Sequence, residues 1–155
     1  MRIERTEDSQ KIKEIVTHPS VWEKVSDDGA DKETYLPFIS PSVYWLSIVK
    51  EDKVIGVYFL HPHNAICYEI HTCILPEAWG KDSREASRLV LKWIFENTKC
   101  EKVITNVPEN NPIALRYAEK AGLKVYGINT KSYKKDGKLL NQTVLGIEKG
   151  EWTCL

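Results

Sequence analysis

The fold of this chain is indicated most clearly by its middle, which runs from Leu75-Pro76-Glu77-Ala78-Trp79-Gly80-Lys81-Asp82 to Leu123. After the glycine turn, apolar residues recur at the spacing of one helical face. This spacing predicts a helix from near Ser83 to Asn97-Thr98, with an inner face of Ala86, Leu89, Val90, Trp93 and Ile94. A glycine turn that leads into a helix N-terminus is suited to holding phosphate, because free backbone N–H groups and the helix dipole both favour an anion.

A second recognisable unit completes this stretch. The apolar run from Lys102 to Asn106 predicts a short buried strand, and Asn111 is placed to cap the helix that follows. Pro112 is tolerated in the first turn of that helix, where its missing N–H has no intrahelical partner, and Gly122 is placed to end it. A strand, a helix and a further strand in this order predict one parallel pairing with a right-handed crossover.

Antiparallel pairing is predicted on both sides of this stretch, since turn residues separate consecutive strands there. The predicted elements are a strand from Arg2 to Arg5, helices from Gln10 to Thr17 and Ser20 to Val25, strands from Val43 to Val49, Val54 to Leu60 and Ala65 to Ile74, and a hairpin of Leu123 to Tyr133 with Leu139 to Glu148. The polar loop from Ser26 to Lys32 is either substrate-facing or a plain connection.

These elements predict an α/β (α+β) fold in a single domain of residues 1–155. The expected architecture is a mixed central sheet with an antiparallel N-terminal meander, one parallel step at a splayed crevice, and a C-terminal hairpin.

Composition excludes several classes of partner. The chain has 22 acidic and 22 basic residues, so nothing indicates a nucleic-acid or anionic-membrane partner. No apolar run approaches the ~20 residues needed to cross a bilayer, and the first residues lack an apolar signal core. The four cysteines (Cys67, Cys73, Cys100 and Cys154) form no Cys-x-x-Cys pair, which favours reduced thiols. We therefore expect a cytoplasmic protein.

Three histidines raise the question of a metal. His61, His63 and His71 lie close in sequence to one another, with Cys73 nearby. His-Pro-His at the end of a strand is more typical of a turn, however, and we expect no metal.

The order of elements and both central motifs resemble the GNAT superfamily, the acetyl-CoA-dependent N-acetyltransferases. The closest likeness is the branch that acetylates protein N-termini, including those of ribosomal proteins. That branch typically shows Pro-x-x-Trp-Gly-Lys-Gly, Asn-x-x-Ser, Glu-Lys-x-Gly-Phe and a closing Asp-Gly hairpin. The corresponding segments here are Pro76-Glu77-Ala78-Trp79-Gly80-Lys81-Asp82, Asn111-Pro112-Ile113-Ala114, Glu119-Lys120-Ala121-Gly122-Leu123 and Asp136-Gly137-Lys138.

The resemblance implies acetyl-CoA as the acyl donor. Its pantetheine arm is expected to pair with strand backbone like an added strand, in the crevice between the two parallel strands. The pyrophosphate is expected on the N–H groups at the start of the central helix. The predicted cofactor-binding residues are Thr72, Cys73, Ile74, Trp79, Gly80, Lys81, Asp82, Ser83, Arg84 and Asn111.

Asp82 departs from the family pattern, which has a second glycine at this position. A carboxylate there adds bulk and negative charge close to an anionic ligand. Either Asp82 caps the helix while Lys81 and Arg84 supply positive charge, or the loop has lost cofactor binding. The sequence leaves both readings open.

The predicted catalytic base is Glu69 or His71. Acetyl transfer requires a deprotonated amine, a polarised thioester carbonyl and a proton for the leaving thiolate. Glu69 and His71 are two residues apart on a predicted strand and so share one side of the sheet. Either group would take the proton directly or through a water. Backbone N–H groups near Cys73 and Ile74 are expected to polarise the carbonyl.

The predicted catalytic acid is Tyr117. Related enzymes often place Tyr or Ser on the Asn-initiated helix, but the matching positions here hold Ala114 and Ala118. Tyr117 is adjacent and partly shares that face, although packing against the sheet is the alternative. Tyr126 and Tyr133 are weaker candidates.

Two functions are compatible with these residues. The first is an N-acetyltransferase that acts on a primary amine of a peptide or small molecule through direct attack in a ternary complex, as a monomer or homodimer. The second is a GNAT-fold protein that has lost catalysis and serves in binding or assembly. GNAT-like proteins with an altered loop also occur in tailed phages and prophages, which fits the second hypothesis.

Overall fold

The elements follow the predicted order along residues 1–152, the part of the chain that the computed structural model describes. Cys154 lies outside the described residues. The strands are β1 (Arg2–Thr6), β2 (Tyr44–Lys50), β3 (Lys53–Pro62), β4 (Cys67–Ile74), β5 (Lys102–Pro108), β6 (Lys124–Lys135) and β7 (Lys138–Glu148). The helices are α1 (Ser9–Val16), α2 (Pro19–Val25), α3 (Lys81–Asn97), α4 (Pro112–Lys120) and α5 (Lys149–Trp152), with a 3₁₀ turn at Pro76–Ala78.

The strands form one seven-stranded sheet in the order β1-β2-β3-β4-β5-β7-β6. Within the described residues, β4 and β5 pair in parallel and every other neighbouring pair is antiparallel. This confirms the predicted mixed sheet with a meander, one parallel step and a closing hairpin.

Local sequence signals explain where the helices and the hairpin turn lie. The Asp8 side chain accepts a hydrogen bond from the Lys11 N–H at 2.9 Å and caps α1, and Asn111 does the same for α4 through the Ala114 N–H at 3.2 Å. The β6–β7 turn holds Asp136 and Gly137, both with positive φ (51° and 74°), as a tight hairpin with the native strand twist requires.

Two boundaries differ from the sequence-based expectation. Strand β4 begins at Cys67 rather than Ala65, because the Asn64 side chain accepts the N–H groups of Ile66 and Cys67 and holds this segment in a turn. Helix α3 begins at Lys81, and its buried face is rotated from the predicted one. The buried residues are Ser83, Ala86, Ser87, Val90, Leu91, Ile94 and Phe95, whereas Leu89 and Trp93 are half-buried at the edge.

Both faces of the sheet are covered. On one face α3 and α4 pack over a large core that includes Tyr58, Leu60, Ile70 and Val103. On the other, α1 and α2 pack over a smaller core formed by Ile12, Ile15, Val16, Val21, Trp45, Val57 and Cys73. None of the helices between residues 1 and 152 combines the length and apolar character needed to span a membrane.

Gly56 allows β3 and β4 to approach closely, and its replacement tests this packing. A Cβ at position 56 would lie 2.8 Å from the Cys73 carbonyl oxygen and 3.0 Å from the Ile74 Cα, both backbone atoms. Gly56→Ala should therefore lower the free energy of unfolding by about 1–3 kcal/mol in urea denaturation. Gly127→Ala is the control, since a Cβ there meets nothing within 4 Å. Equal stability of the two variants would contradict this account.

Candidate active site

A crevice opens where the parallel pair β4/β5 separates. The two strands pair from Cys67↔Lys102 to Glu69↔Ile104 only, although β4 continues to Ile74 and β5 to Pro108. A cavity of about 330 Å³ lies at this separation, and residues of both strands line it. The lining includes Ile70, His71 and Thr72 of β4, Thr105, Asn106 and Val107 of β5, and Tyr58, Ala114, Tyr117, Ala118 and Tyr133.

The backbone of β4 presents alternate residues to the crevice. The Leu75 N–H donates to the Ile55 carbonyl and the His63 N–H donates to the Cys67 carbonyl, which places odd-numbered residues of β4 in hydrogen-bonded pairs with β3. Even-numbered residues, Thr72 among them, therefore direct their backbone groups toward β5. This corrects the expectation for Cys73, whose backbone groups face β3. The Cys73 side chain is buried in the smaller core, and burial raises its thiol pKa to about 12.

A second cavity, of about 310 Å³, is a groove that runs from the crevice to the N-terminus of α3. Thr72, Asn111 and Tyr117 line both the groove and the crevice cavity, so the two spaces are neighbours. The groove is also lined by Ile74, Trp79, Gly80, Ser83 and Arg84 and by three further basic residues, Lys24, Arg116 and Lys120. Seven of the ten residues predicted to bind the cofactor therefore lie along one surface.

Gly80 shapes the end of this groove at the start of α3. It has φ +93°, a conformation that glycine adopts without strain, and a Cβ there would project into open space. The Ser83 hydroxyl accepts the Gly80 N–H and contacts the Gly80 carbonyl oxygen, each at 3.1 Å. The N–H groups of the first helical turn have no partner within the helix and are available to an anion.

Asp82 is held away from the groove by an ion pair. Lys50, at the end of β2, donates to the Asp82 carboxylate at 2.8 Å, and neither residue belongs to the groove lining. The hydrogen bond raises the pKa of Lys50, so its ammonium group stays charged at neutral pH. The structure thus differs from the expected helix cap: Asp82 is neutralised by Lys50, which lies 32 positions away in the sequence. Lys81 is exposed and also lies outside the groove lining.

Tyr117 reaches the crevice from α4 and contacts Tyr58 of β3. The two hydroxyl oxygens are 2.7 Å apart, and the Tyr58 side chain is only 1% exposed. Burial raises the pKa of Tyr117 to about 12, so its phenol is protonated throughout the neutral range. Tyr117 can therefore donate a proton or a hydrogen bond at the place where groove and crevice meet.

Glu69 lies on the α1/α2 face of the sheet within a cluster of histidines. Its carboxylate accepts a hydrogen bond from the Asn106 amide at 3.0 Å and lies 2.7 Å from the His63 Nε2. Burial by itself would raise the pKa of Glu69, but the hydrogen bonds from Asn106 and His63 hold it below its ordinary value. Glu69 is therefore a carboxylate at neutral pH.

His71 and His61 complete this cluster. Their Nε2 atoms are 3.2 Å apart, and each lies within 4 Å of a Glu69 carboxylate oxygen. Burial lowers the pKa of both imidazoles, and this effect outweighs the negative charge of Glu69, which by itself would raise it. The neutral forms of the two rings are therefore favoured. His71 lines the crevice cavity, whereas Glu69 is only 8% exposed and contacts that lining through Asn106. The predicted bases are thus adjacent, with His71 nearer the open space.

The family of the chain follows from its sequence. Residues 2–124 match the family model described as the acetyltransferase (GNAT) domain. The chain belongs to the GNAT acetyltransferase family. No curated protein matches it in sequence.

Solved GNAT structures share its fold across most or all of the chain. The spermidine N-acetyltransferase from Vibrio cholerae in complex with CoA and spermine superposes with a TM-score of 0.80 at 16% identity, covering 98% of this chain and 97% of that one. A GNAT-family acetyltransferase from Bacillus anthracis gives 0.61 at 21% identity, covering 70% and 67%. A protein described as a putative acetyltransferase gives 0.76 at 19% identity, covering 98% and 84%. At these identities the likeness shows the fold alone.

Several site residues of this GNAT domain had no signal in the sequence. In the sequence, Tyr58 has the pattern of a core residue of a strand, and Asn106 has that of the last residue of a strand. Lys24 lies on α2, far in sequence from Arg116 and Lys120 on α4, yet all three line the groove. Of the weaker candidates for the acid, Tyr133 lines the crevice but donates to the Ser26 carbonyl at 2.7 Å, whereas Tyr126 is 45% exposed.

The loop from Ser26 to Lys32 is partly anchored. The Asp28 carboxylate accepts the N–H groups of Asp136 and Gly137, both at 2.8 Å, and these hydrogen bonds lower the pKa of Asp28. Asp27 lines the crevice cavity, so the loop contributes an acidic group there. The loop thus borders the crevice at Asp27 and is held to the β6–β7 turn at Asp28, and its contact with a substrate stays a prediction.

Removing the hydroxyl of Tyr58 and removing that of Tyr117 should lower the free energy of unfolding by different amounts. Tyr117→Phe leaves the Tyr58 hydroxyl buried without this partner and should cost about 1–3 kcal/mol of unfolding free energy. Tyr58→Phe should cost about 1 kcal/mol or less, because the Tyr117 hydroxyl still faces the cavity. In urea denaturation the double variant should be close to Tyr58→Phe alone. Strictly additive costs would argue against a hydrogen bond between the two hydroxyls.

Proposed function

We propose that this protein transfers an acetyl group from acetyl-CoA to a primary amine of a peptide or small molecule, by direct attack in a ternary complex. The observation that carries the proposal is the meeting of two spaces at Thr72 and Tyr117. One is a groove with basic residues that ends at a helix N-terminus, and the other is a crevice with acidic and imidazole groups beside it. This arrangement suits an anionic donor on one side and a cationic acceptor on the other.

The groove supports the donor assignment. The pyrophosphate of CoA would lie on the N–H groups that follow Gly80, where the helix dipole favours an anion. Lys24, Arg84, Arg116 and Lys120 add positive charge along the same surface. The pantetheine arm would run along the edge of β4 beside Thr72. The V. cholerae protein of the same fold binds CoA, which is consistent with this placement.

The crevice supports the chemistry of acetyl transfer. The amine nitrogen attacks the thioester carbonyl carbon, the carbon–sulfur bond breaks, and CoA leaves as a thiolate. His71 first accepts one proton from the protonated amine, so that the amine nitrogen has a free lone pair for the attack, and Glu69 stabilises the imidazolium that forms. Tyr117 protonates the thiolate and regains a proton, the second one that the acetylated nitrogen loses. A backbone N–H on the crevice edge of β4, such as that of Thr72, polarises the carbonyl.

The acceptor is proposed to carry a positive charge before it loses its proton. Asp27 and Lys24 both line the crevice, and the Glu69 carboxylate beside it leaves an excess of negative charge that attracts a cationic amine. The motif likeness favours the α-amine of a peptide, and the spermine bound to the V. cholerae protein favours a polyamine. We retain both classes, together with a cytoplasmic location and a monomer or homodimer.

Calorimetric titration with acetyl-CoA and, separately, with CoA tests the donor assignment. We expect one binding site per chain for each ligand and a rise in Tm with ligand concentration. No heat and no stabilisation at millimolar ligand would exclude the enzyme and favour a GNAT-fold binding or assembly protein. Ala114 and Ala118 line the crevice and have no proton-donating group. Their presence would then be one reason for the loss of catalysis.

Turnover of variants tests the catalytic assignments. With acetyl-CoA and a panel of peptide and polyamine acceptors, His71→Gln and Tyr117→Phe should lower kcat about 10²–10⁴-fold while CoA affinity changes little. Glu69→Gln should lower kcat less than His71→Gln, because Glu69 acts through the imidazole. The reverse order would make Glu69 the direct base. Glu77→Gln, which removes an exposed carboxylate, is the control.

The Lys50–Asp82 pair is predicted to permit CoA binding in spite of the missing glycine. Lys50→Met removes the partner of Asp82 and should weaken CoA binding several-fold, since the carboxylate then repels the pyrophosphate. Asp82→Asn should bind CoA at least as well as the wild type, and Lys50→Met/Asp82→Asn should recover most of the lost affinity. Calorimetry of all four proteins forms a double-mutant cycle. No recovery in the double variant would overturn this role for Lys50.

A further inference from the structure

Three donor groups converge on one point of the α1/α2 face of the sheet. His61 on β3 pairs with Glu69 on β4 across the strands, and His71 follows Glu69 by two residues on the same face. Ligand atoms of His61, Glu69 and His71 all lie within 4.8 Å of one another. The register between β3 and β4 therefore brings together two imidazoles and a carboxylate that lie up to ten residues apart in the sequence.

The distances between these donors are close to those around a tetrahedral ion. Zinc bonds of 2.0–2.1 Å to nitrogen and oxygen place neighbouring ligand atoms about 3.3–3.4 Å apart. The His61 and His71 Nε2 atoms are 3.2 Å apart, which is near this value. The Glu69 carboxylate faces both imidazoles with one oxygen each, Oε2 at 3.8 Å from His61 Nε2 and Oε1 at 3.7 Å from His71 Nε2.

The surroundings hold these donors in orientation. Phe59 packs against both imidazoles, with ring centroids 5.4 Å from His61 and 5.8 Å from His71. The Asn106 amide donates to one carboxylate oxygen of Glu69, and the His63 Nε2 lies 2.7 Å from the other. Hydrogen bonds of this kind orient carboxylate ligands in metal sites.

We propose that His61, Glu69 and His71 form a binding site for a zinc-type divalent cation. Nitrogen and carboxylate donors in this number are typical of zinc sites that keep an open position. The inference departs from the sequence-based expectation of no metal.

A cation at this site regulates acetyl transfer. This part of the proposal rests on the proposed acetyltransferase function. A cation bound by His71 and Glu69 occupies the lone pair that would accept the amine proton. It also adds positive charge where the acceptor amine must enter. Zinc therefore inhibits acetyl transfer, and its removal restores it.

Zinc titration of the chelator-treated protein tests the site without reference to activity. We expect one Zn²⁺ per chain, measured by competition with a chromophoric chelator, and a tetrahedral absorption spectrum when Co²⁺ replaces Zn²⁺. His61→Gln should weaken zinc binding on the order of 100-fold, which corresponds to about 2.7 kcal/mol. His18→Asn is the matched control, because it removes the histidine outside the cluster while asparagine still caps α2.

The same variants separate the two proposals. Where acetyl transfer is measurable, inhibition is expressed for each variant as the ratio of its rates without and with zinc. This ratio should fall toward one in His61→Gln, whereas His18→Asn should be inhibited like the wild type. No stoichiometric zinc binding, or undiminished binding in a folded His61→Gln, overturns the metal site whatever the enzyme does. Zinc binding that requires His61, in a protein that does not bind acetyl-CoA, supports the metal site and removes only its regulatory role.

Discussion

The structure depends on one feature of the sheet: the hydrogen bonding between β4 and β5 stops before either strand ends. The parallel pair is joined only as far as Glu69 and Ile104, after which β5 remains bonded to β7 along its whole length. The backbone groups of β4 beyond Glu69 consequently have no strand beside them on that edge. The N-termini of α3 and α4 both border the adjoining groove, so the fold creates a cavity by leaving part of one strand edge unpaired.

Charge is arranged differently on the two sides of this opening. The groove toward α3 carries four basic side chains, and the one acidic residue at the start of α3 is paired with Lys50. Toward the crevice, Asp27 lines the cavity and Glu69 is held ionised by its hydrogen bonds. A chain with no net charge thus presents a local field suited to an anionic donor and a cationic acceptor.

Glu69 and His71 are the residues on which both proposals converge. The same proximity that lets a carboxylate support an imidazole as a base also lets the two bind a cation together with His61. These roles exclude one another at any moment, because each uses the same lone pairs. A base of this composition is therefore open to control by a metal, which a base without neighbouring histidines would not be.

The sequence by itself determined the fold and the outline of the groove. Helix periodicity, the Asp8 and Asn111 caps, and the Asp136-Gly137 turn are local signals, and local signals can be read from neighbouring residues. The alternation of strand residues placed Glu69 and His71 on one face, which the structure bears out.

Only the tertiary structure decided which distant residues meet. Lys50 on β2 neutralises Asp82, Tyr58 on β3 contacts Tyr117, and Asn106 on β5 orients Glu69. The backbone direction of Cys73 also depended on the register with β3, not on its place in the motif. These contacts join residues 32 to 59 positions apart, and no local pattern specifies them, because strand register and helix packing are set by the whole core.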